Sequence, residues 1–269
     1  MSTDTEWEKW GRQDPYFGVI TADRFRSNRL NDEALAEFFA SGEHHVDGVL
    51  RSCRTYFGGE FAPKRILDFG CGVGRLVIAF AQKSEEVVGV DISDSMLSEA
   101  ARNCAERGLV NVALVRSDDQ LSQVRGKFDL IHSAITLQHI DVARGRQIIQ
   151  RLLRLVATDG AVALHLTYAK RVHASTFGRL PPSSTPRPPP PSQSVWKQLF
   201  KRRTETGNAP GADASAVDRG DPQMLMNSYD LNEISFILQE AGVTQMHAEF
   251  TDHGGELGVF IFFRRPAST

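Results

Sequence analysis

Ile66-Leu67-Asp68-Phe69-Gly70-Cys71-Gly72-Val73-Gly74 is the stretch that decides the fold. A short apolar run ends in an acidic residue and passes straight into three glycines spaced two apart, after which Leu76, Val77 and Phe80 recur on one side of a helix. Glycine at this junction frees the backbone for positive φ and for close approach to a ligand. Val87-Val88-Gly89-Val90-Asp91 then reads as a second strand. Strand, helix and strand within about thirty residues imply a right-handed parallel crossover, and the turn after its first strand is where open α/β sheets bind ligands.

The alternation continues downstream. A helix carries Met96, Leu97, Ala100, Ala101 and Cys104 and ends at Gly108, and strands follow at Val112 to Val115 and Phe128 to Ser133. Asp141 caps a helix with Ile148, Ile149, Leu152, Leu153 and Val156 on one side, and Gly160 turns the chain into a strand from Ala161 to Tyr168. Asp230-Leu231-Asn232-Glu233 has the form of a capping box for a helix bearing Ile234, Ile237 and Leu238 and ended by Gly242. Two last strands, Thr244 to Phe250 and Gly258 to Phe263, are joined by the short loop Thr251 to Leu257 with its Gly254-Gly255, which suits a hairpin rather than a crossover. The pattern predicts an α/β fold: a doubly wound, seven-stranded, mostly parallel sheet with an antiparallel last strand. The expected organisation is a helical N-terminal extension over 1–60, a ligand-binding core over 61–168, a Pro-rich basic insertion over 169–226, and a helix with two strands over 227–266 that complete the same domain. In the extension, Leu35, Phe38 and Phe39 precede a break at Ser41-Gly42, and Val46, Val49, Leu50 and Cys53 follow it. Ahead of them, Trp7, Trp10, Tyr16 and Phe17 form an aromatic group that packing explains at least as well as a ligand lid does.

The 269 residues are 41% hydrophobic and 24% charged, with a formal net charge of −2. This balance excludes wholesale disorder and a uniformly basic nucleic-acid coat. Cys53, Cys71 and Cys104 are odd in number and lack C-x-x-C spacing, so neither a disulfide framework nor a zinc site is expected. The polar start with Asp4, Glu6 and Glu8 is unlike a secretory signal, and runs such as Ala161 to Leu166 are far too short to span a membrane. A soluble, cytoplasmic protein that uses no metal is expected. Charge is nevertheless uneven. Lys170 to Arg203 holds eight Lys or Arg, no Asp or Glu and seven of the twelve prolines, which leaves the remainder of the chain at −10. Two readings of 170–203 stay open. One is a polyproline-like linker in solvent. The other is a contact for an anionic membrane or a phosphorylated carrier, because Trp196, Leu199 and Phe200 share a helical side beside Lys197, Lys201, Arg202 and Arg203.

Glycine spacing separates the candidate cofactors. A dinucleotide fingerprint needs G-x-G-x-x-G, whereas Arg75 follows Gly74 and gives G-x-G-x-G; a nucleoside-triphosphate loop needs a closing Lys-Ser or Lys-Thr that is absent. A strand running into an acid and then G-x-G-x-G resembles the first motif of the class I S-adenosylmethionine-dependent methyltransferases. The resemblance holds in order from Ile66 to Tyr168 and takes in the final helix and strands. It implies a Rossmann-like core over 61–168 that binds S-adenosylmethionine. It also implies that Asp68 organises the loop and meets the methionine ammonium, while Gly70, Cys71, Gly72 and Gly74 pass beneath the cofactor. Asp91, with Ile92 beside it, would offer its carboxylate to two ribose hydroxyls. Asp118, with Asp119, would accept from the adenine amine, and the backbone of Ser133 and Ala134 would lie beside the sulfonium. Each of these residues alone is an ordinary turn or cap. Their joint order, with Asp91 seventeen residues past Gly74 and Asp118 after the next strand, is what distinguishes them.

Methyl transfer from a sulfonium is an in-line displacement in which the protein mainly aligns the nucleophile and removes its proton. A hydroxyl acceptor profits from a base near neutral pKa. His139, in Thr136-Leu137-Gln138-His139-Ile140-Asp141 just past the fourth strand, is the candidate, with packing or helix capping as the alternative. His132 reads as a buried strand histidine, and His44, His45 and His173 have no supporting context. Ser133-Ala134-Ile135-Thr136 replaces the acidic or amide residue, two prolines and aromatic of exocyclic-amine DNA methylation, so no DNA partner is expected. Met224 to Tyr229 resembles a segment of bacterial methyltransferases encoded with glycan and natural-product pathways. The expected activity is methylation of an oxygen on a small-molecule or glycan acceptor. An N-methyltransferase, a protein or lipid methyltransferase, and a non-catalytic scaffold of the same fold are the alternatives.

Overall fold

The computed structural model describes residues 3–178 and 220–265. Five parallel strands form most of one sheet: β1 (Arg65–Phe69), β2 (Glu86–Asp91), β3 (Val112–Arg116), β4 (Phe128–Ser133) and β5 (Val156–Lys170). With β6 (His247–His253) and β7 (Glu256–Arg264) the order is β3-β2-β1-β4-β5-β7-β6. The last strand in sequence, β7, runs antiparallel to β5 and is covered on its other side by β6, so the antiparallel strand lies one place inside the edge.

Side-chain alternation along the strands divides the apolar residues between two faces. Ile66, Leu130, Ala163 and Phe262 pack with α3 (Asp32–Phe57) and α4 (Arg75–Ala81), whereas Leu67, Ile131, Leu164 and Phe263 pack with α6 (Val142–Leu155) and α7 (Leu231–Glu240). Helix α5 (Asp94–Glu106) follows β2 with Ser93 as its N-cap, accepting from the Met96 amide at 3.1 Å. On the first face, α1 (Thr3–Gln13) and α2 (Pro15–Val19) reach over the carboxyl ends of the strands. Each fully buried Phe or Leu in these layers contributes about 1.5–3 kcal/mol.

Several boundaries differ from the sequence reading. Helix α3 runs through Ser41-Gly42 without a break; Gly42 is where it presses on the start of α4, since a Cβ there would lie 2.5 Å from the Arg75 carbonyl oxygen. Strand β5 starts at Val156 rather than Ala161 and pairs with Phe128 before a register shift, so Gly160 lies inside an irregular strand instead of before it. The final hairpin is tighter than expected, turning on Gly254 and Gly255 at φ of 69° and 101°. Asp230 does cap α7, but Glu233 reaches Arg146 at 2.6 Å instead of closing a capping box. Beyond Gly178, the membrane or carrier contact expected of 170–203 lies outside the described residues; within them, Lys170 pairs with Glu256 at 3.0 Å and Arg171 with Asp252.

Candidate active site

The turn after β1 is tight because its glycines permit it. Gly70, Gly72 and Gly74 have φ of 79°, 52° and 85°. A Cβ on Gly70 would lie 2.2 Å from the Thr136 side chain, and one on Gly72 would lie 2.8 Å from Val19, so the loop is held between the turn after β4 and the end of α2. Asp91 fastens it from β2. Its Oδ2 accepts from the Gly72 amide at 2.8 Å and its Oδ1 from the Ser93 amide at 3.0 Å. Burial pushes the Asp91 carboxyl up, against the pull of the Ser93, Gly72 and Ile92 amides.

A cavity of about 410 Å³ lies above these strand ends. Of the residues singled out in the sequence, Gly70, Cys71, Gly72, Asp91, Ile92, Asp119, Ala134 and His139 line it. Four others are not among the lining residues. Asp68 is on the α3 face by strand alternation, where its Oδ1 accepts from His132 Nδ1 at 2.8 Å and its Oδ2 is buried without a partner. Gly74 is the left-handed N-cap of α4, with Ala100 3.2 Å from its virtual Cβ. Ser133 donates to the Phe69 carbonyl at 2.9 Å. Asp118 accepts from the Ser122 amide and hydroxyl, which hold its carboxyl below the usual range, and its neighbour Asp119 takes the place on the wall. Burial raises the Cys71 thiol well above its ordinary value, leaving it a packing group.

The facing wall comes from elements to which the sequence assigned no site residue. Trp7, Val19, Ile20, Met224 and Met226 complete it. Helix α1 is docked by polar contacts: Thr3 donates to the His139 carbonyl at 2.7 Å, and Arg144 joins Asp4 at 2.6 Å and Asp119 at 2.7 Å. Glu8 accepts from the hydroxyls of Ser93 and Ser95 at 2.8 and 2.7 Å; burial opposes its ionisation, but these bonds hold it at about 2. The aromatic group thus divides. Trp7 is on the cavity wall, and Tyr16 packs beneath, donating to Glu99 at 2.5 Å. The usable signal in the sequence is the aromatic group Trp7, Trp10, Tyr16 and Phe17, for which a ligand lid is one of the two readings.

His139 is buried, and burial lowers its pKa against the upward pull of the Leu225 and Ile135 backbone contacts. Its Nδ1 is 2.7 Å from the Leu225 carbonyl oxygen. A carbonyl only accepts, so Nδ1 carries the proton and neutral His139 has its lone pair on Nε2. Nε2 lies 3.5 Å from the Gln138 amide nitrogen, and the Gln138 oxygen accepts from Thr167 at 2.8 Å. The Trp7 ring meets the imidazole edge-on with centroids 5.0 Å apart. Ile135, also on the wall, has φ of 55°, a left-handed backbone that a β-branched side chain adopts only under constraint.

A glycine cradle that any Cβ would fill, a fixed carboxylate at the end of β2 and the apolar facing wall together fit a ligand with vicinal hydroxyls and a ring. Residues 66–160 match the family model of a methyltransferase domain. The chain is 26% identical over 197 residues to the ubiquinone biosynthesis O-methyltransferase of Caulobacter sp. (strain K31), covering 73% of this chain and 71% of that protein. It is 31% identical over 127 residues to the aklanonic acid methyltransferase of Streptomyces sp. (strain C5), covering 46% of this chain and 56% of that protein. The magnesium protoporphyrin IX methyltransferase of Synechocystis PCC 6803, solved with bound SAH, shares the fold with a TM-score of 0.56 and 20% identity, over 94% of this chain and 97% of that one. No described helix is long and apolar enough to cross a membrane. The matched segment, residues 66–160, contains the glycine loop, Asp91, Asp119 and His139, and it is a methyltransferase domain with the fold of the class I S-adenosylmethionine-dependent enzymes.

Proposed function

We propose that the chain methylates an oxygen of a small, largely apolar acceptor, with His139 accepting the acceptor's proton. The observation that carries this reading is the contact of His139 Nδ1 with the Leu225 carbonyl, which leaves the Nε2 lone pair, met only by a long 3.5 Å contact from the Gln138 amide, as the position that takes a proton. S-adenosylmethionine supplies an already activated methyl group, which leaves the chain to bind, align, exclude water and move one proton. Gly70, Gly72 and Asp91 are the residues that would hold it. Burial keeps His139 neutral near pH 7, the form a base requires. Trp7, Ile135, Ile140, Met224 and Met226 give the remaining space an apolar lining that favours a ring bearing a hydroxyl over a free sugar. The names of the relatives, a ubiquinone biosynthesis O-methyltransferase and an aklanonic acid methyltransferase, support a small-molecule acceptor.

The test is a screen of phenolic and sugar acceptors with methyl-labelled S-adenosylmethionine, read by mass spectrometry, followed by His139→Gln on the best acceptor. The expected fall in kcat is roughly 10²- to 10⁴-fold with SAH affinity nearly unchanged. Wild-type kcat should rise with pH as His139 loses its proton, below the ordinary 6.5, and level off by pH 7; that limb should vanish in the variant. Undiminished turnover by His139→Gln would contradict the base assignment, and product found only with sugars would contradict the acceptor class.

A further inference from the structure

Arg75 follows directly on Gly74 and lines the cavity beside the glycine loop. Its surroundings are poor for a guanidinium. One Nη donates to the Ser41 hydroxyl at 3.2 Å, Nε is buried without a partner, and no carboxylate among the described residues forms an ion pair with it. Burial pulls its pKa down, and the charge of Asp68 is the influence that opposes this. Asp68 bonds His132 through Oδ1 and forms no ion pair with Arg75. Arg144, the other arginine on the wall, has two acidic partners, Asp4 and Asp119. A largely enclosed guanidinium that has no ion pair and one unbonded donor is costly, and an anion entering the cavity reduces that cost.

We infer that Arg75 binds the carboxylate at the amino-acid end of the S-adenosyl ligand. The inference rests on the cofactor reading given above. A carboxylate could enter on the cofactor or on the acceptor. The position of Arg75, one residue beyond the loop whose Gly72 is fastened to Asp91, favours the cofactor. The planar guanidinium fork also matches a carboxylate in two-point contact, which the Ser41 hydroxyl does not provide.

The test compares SAH with its decarboxylated analogue, 5′-deoxy-5′-(3-aminopropylthio)adenosine, by calorimetry on the wild type, Arg75→Met and Arg75→Lys. The two ligands differ only in the carboxylate. Wild type should prefer SAH by roughly 10- to 150-fold, the range for one charge-assisted contact. Arg75→Met should erase that preference while leaving the analogue's affinity within about threefold of wild type, and Arg75→Lys should keep part of it. Equal binding of both ligands by wild type would overturn the inference. So would a variant that weakens both alike, the mark of a structural role, or one that leaves SAH untouched and raises only an acidic acceptor's KM. Where Arg75→Met fails to fold, the wild-type preference and Arg75→Lys decide the matter. Failure of wild type to bind either ligand would overturn the cofactor reading itself, and the inference with it.

Discussion

The two walls of the cavity are built in different ways. The loop wall, from Gly70 to Ile92, is one crossover, and its shape follows from backbone dihedrals and from two backbone amides that donate hydrogen bonds to the Asp91 carboxylate. The facing wall is assembled over long spans: Glu8 meets Ser93 across 85 residues, Asp4 meets Arg144 across 140, and Glu6 accepts from the Gln223 amide across 217. A wall set by dihedrals fails abruptly when a Cβ is added. A wall set by separate polar contacts yields in small steps, because a partly exposed ion pair such as Asp4–Arg144 contributes about 0–1 kcal/mol. The first suits an invariant ligand and the second an acceptor whose shape can be tuned.

Substitutions at the two walls should therefore differ in scale. Gly70→Ala should have the largest effect. The left-handed backbone costs about 1–2 kcal/mol for a residue with a Cβ, and overlap with Thr136 at 2.2 Å adds to it. Measurable SAH binding should be lost, and adding Thr136→Ala should restore part of it. Full binding by Gly70→Ala would erase the contrast.

The face beneath the loop wall should be acid-sensitive. Burial holds His165 at about 4 and His45 at about 2, so the unfolded chain takes up protons near 6.5 that the folded chain refuses. Folding stability from these groups is complete above pH 6.5 and falls as pH drops toward 4. By pH 5 the loss through His165 should be roughly 2 kcal/mol. Urea unfolding at pH 7 and pH 5 measures it, and His165→Asn should remove about half of the difference, His45 supplying a similar share.

At the junction of the walls, Ile135→Gly should relieve the left-handed strain at φ of 55° and stabilise the fold by about 1 kcal/mol, while loosening the acceptor wall and lowering kcat/KM. A thermal melt and a steady-state assay on the same preparation separate the two effects. The smallest effect belongs to Asp4→Asn. Breaking its pair with Arg144, whose side chains are 25% and 35% exposed, should weaken SAH by less than about 1 kcal/mol and lose even that in high salt. A large, salt-independent loss would mean that α1 belongs to the loop wall after all.

The same contrast decides what could be read from the sequence. Local patterns located β1 through β4 and the cap at Asp141, because each depends on residues a few positions apart. Asp68 resisted reading because a strand-end acid can face either way, and only the pairing of β1 with β4 and the approach of α3 show that it meets His132, which in turn lies 3.0 Å from His45. Asp118 and Asp119 were separated by which of two adjacent side chains the turn with Ser122 consumed. Gly42 looked like a helix break, whereas in the packed molecule it is the point of close contact between α3 and α4. Trp7, Met224 and Met226 were plain in the sequence, but nothing local joins residues so far apart into one wall.

The most direct test of the cofactor site is a calorimetric titration of SAH into the wild type and Asp91→Ala, with circular dichroism to confirm that both are folded. Micromolar-scale binding to the wild type is expected, weakened by about 1.5–3 kcal/mol when the carboxylate is removed. Absence of binding to the folded wild type, or equal affinity in Asp91→Ala, would contradict the assignment of this cavity to the cofactor.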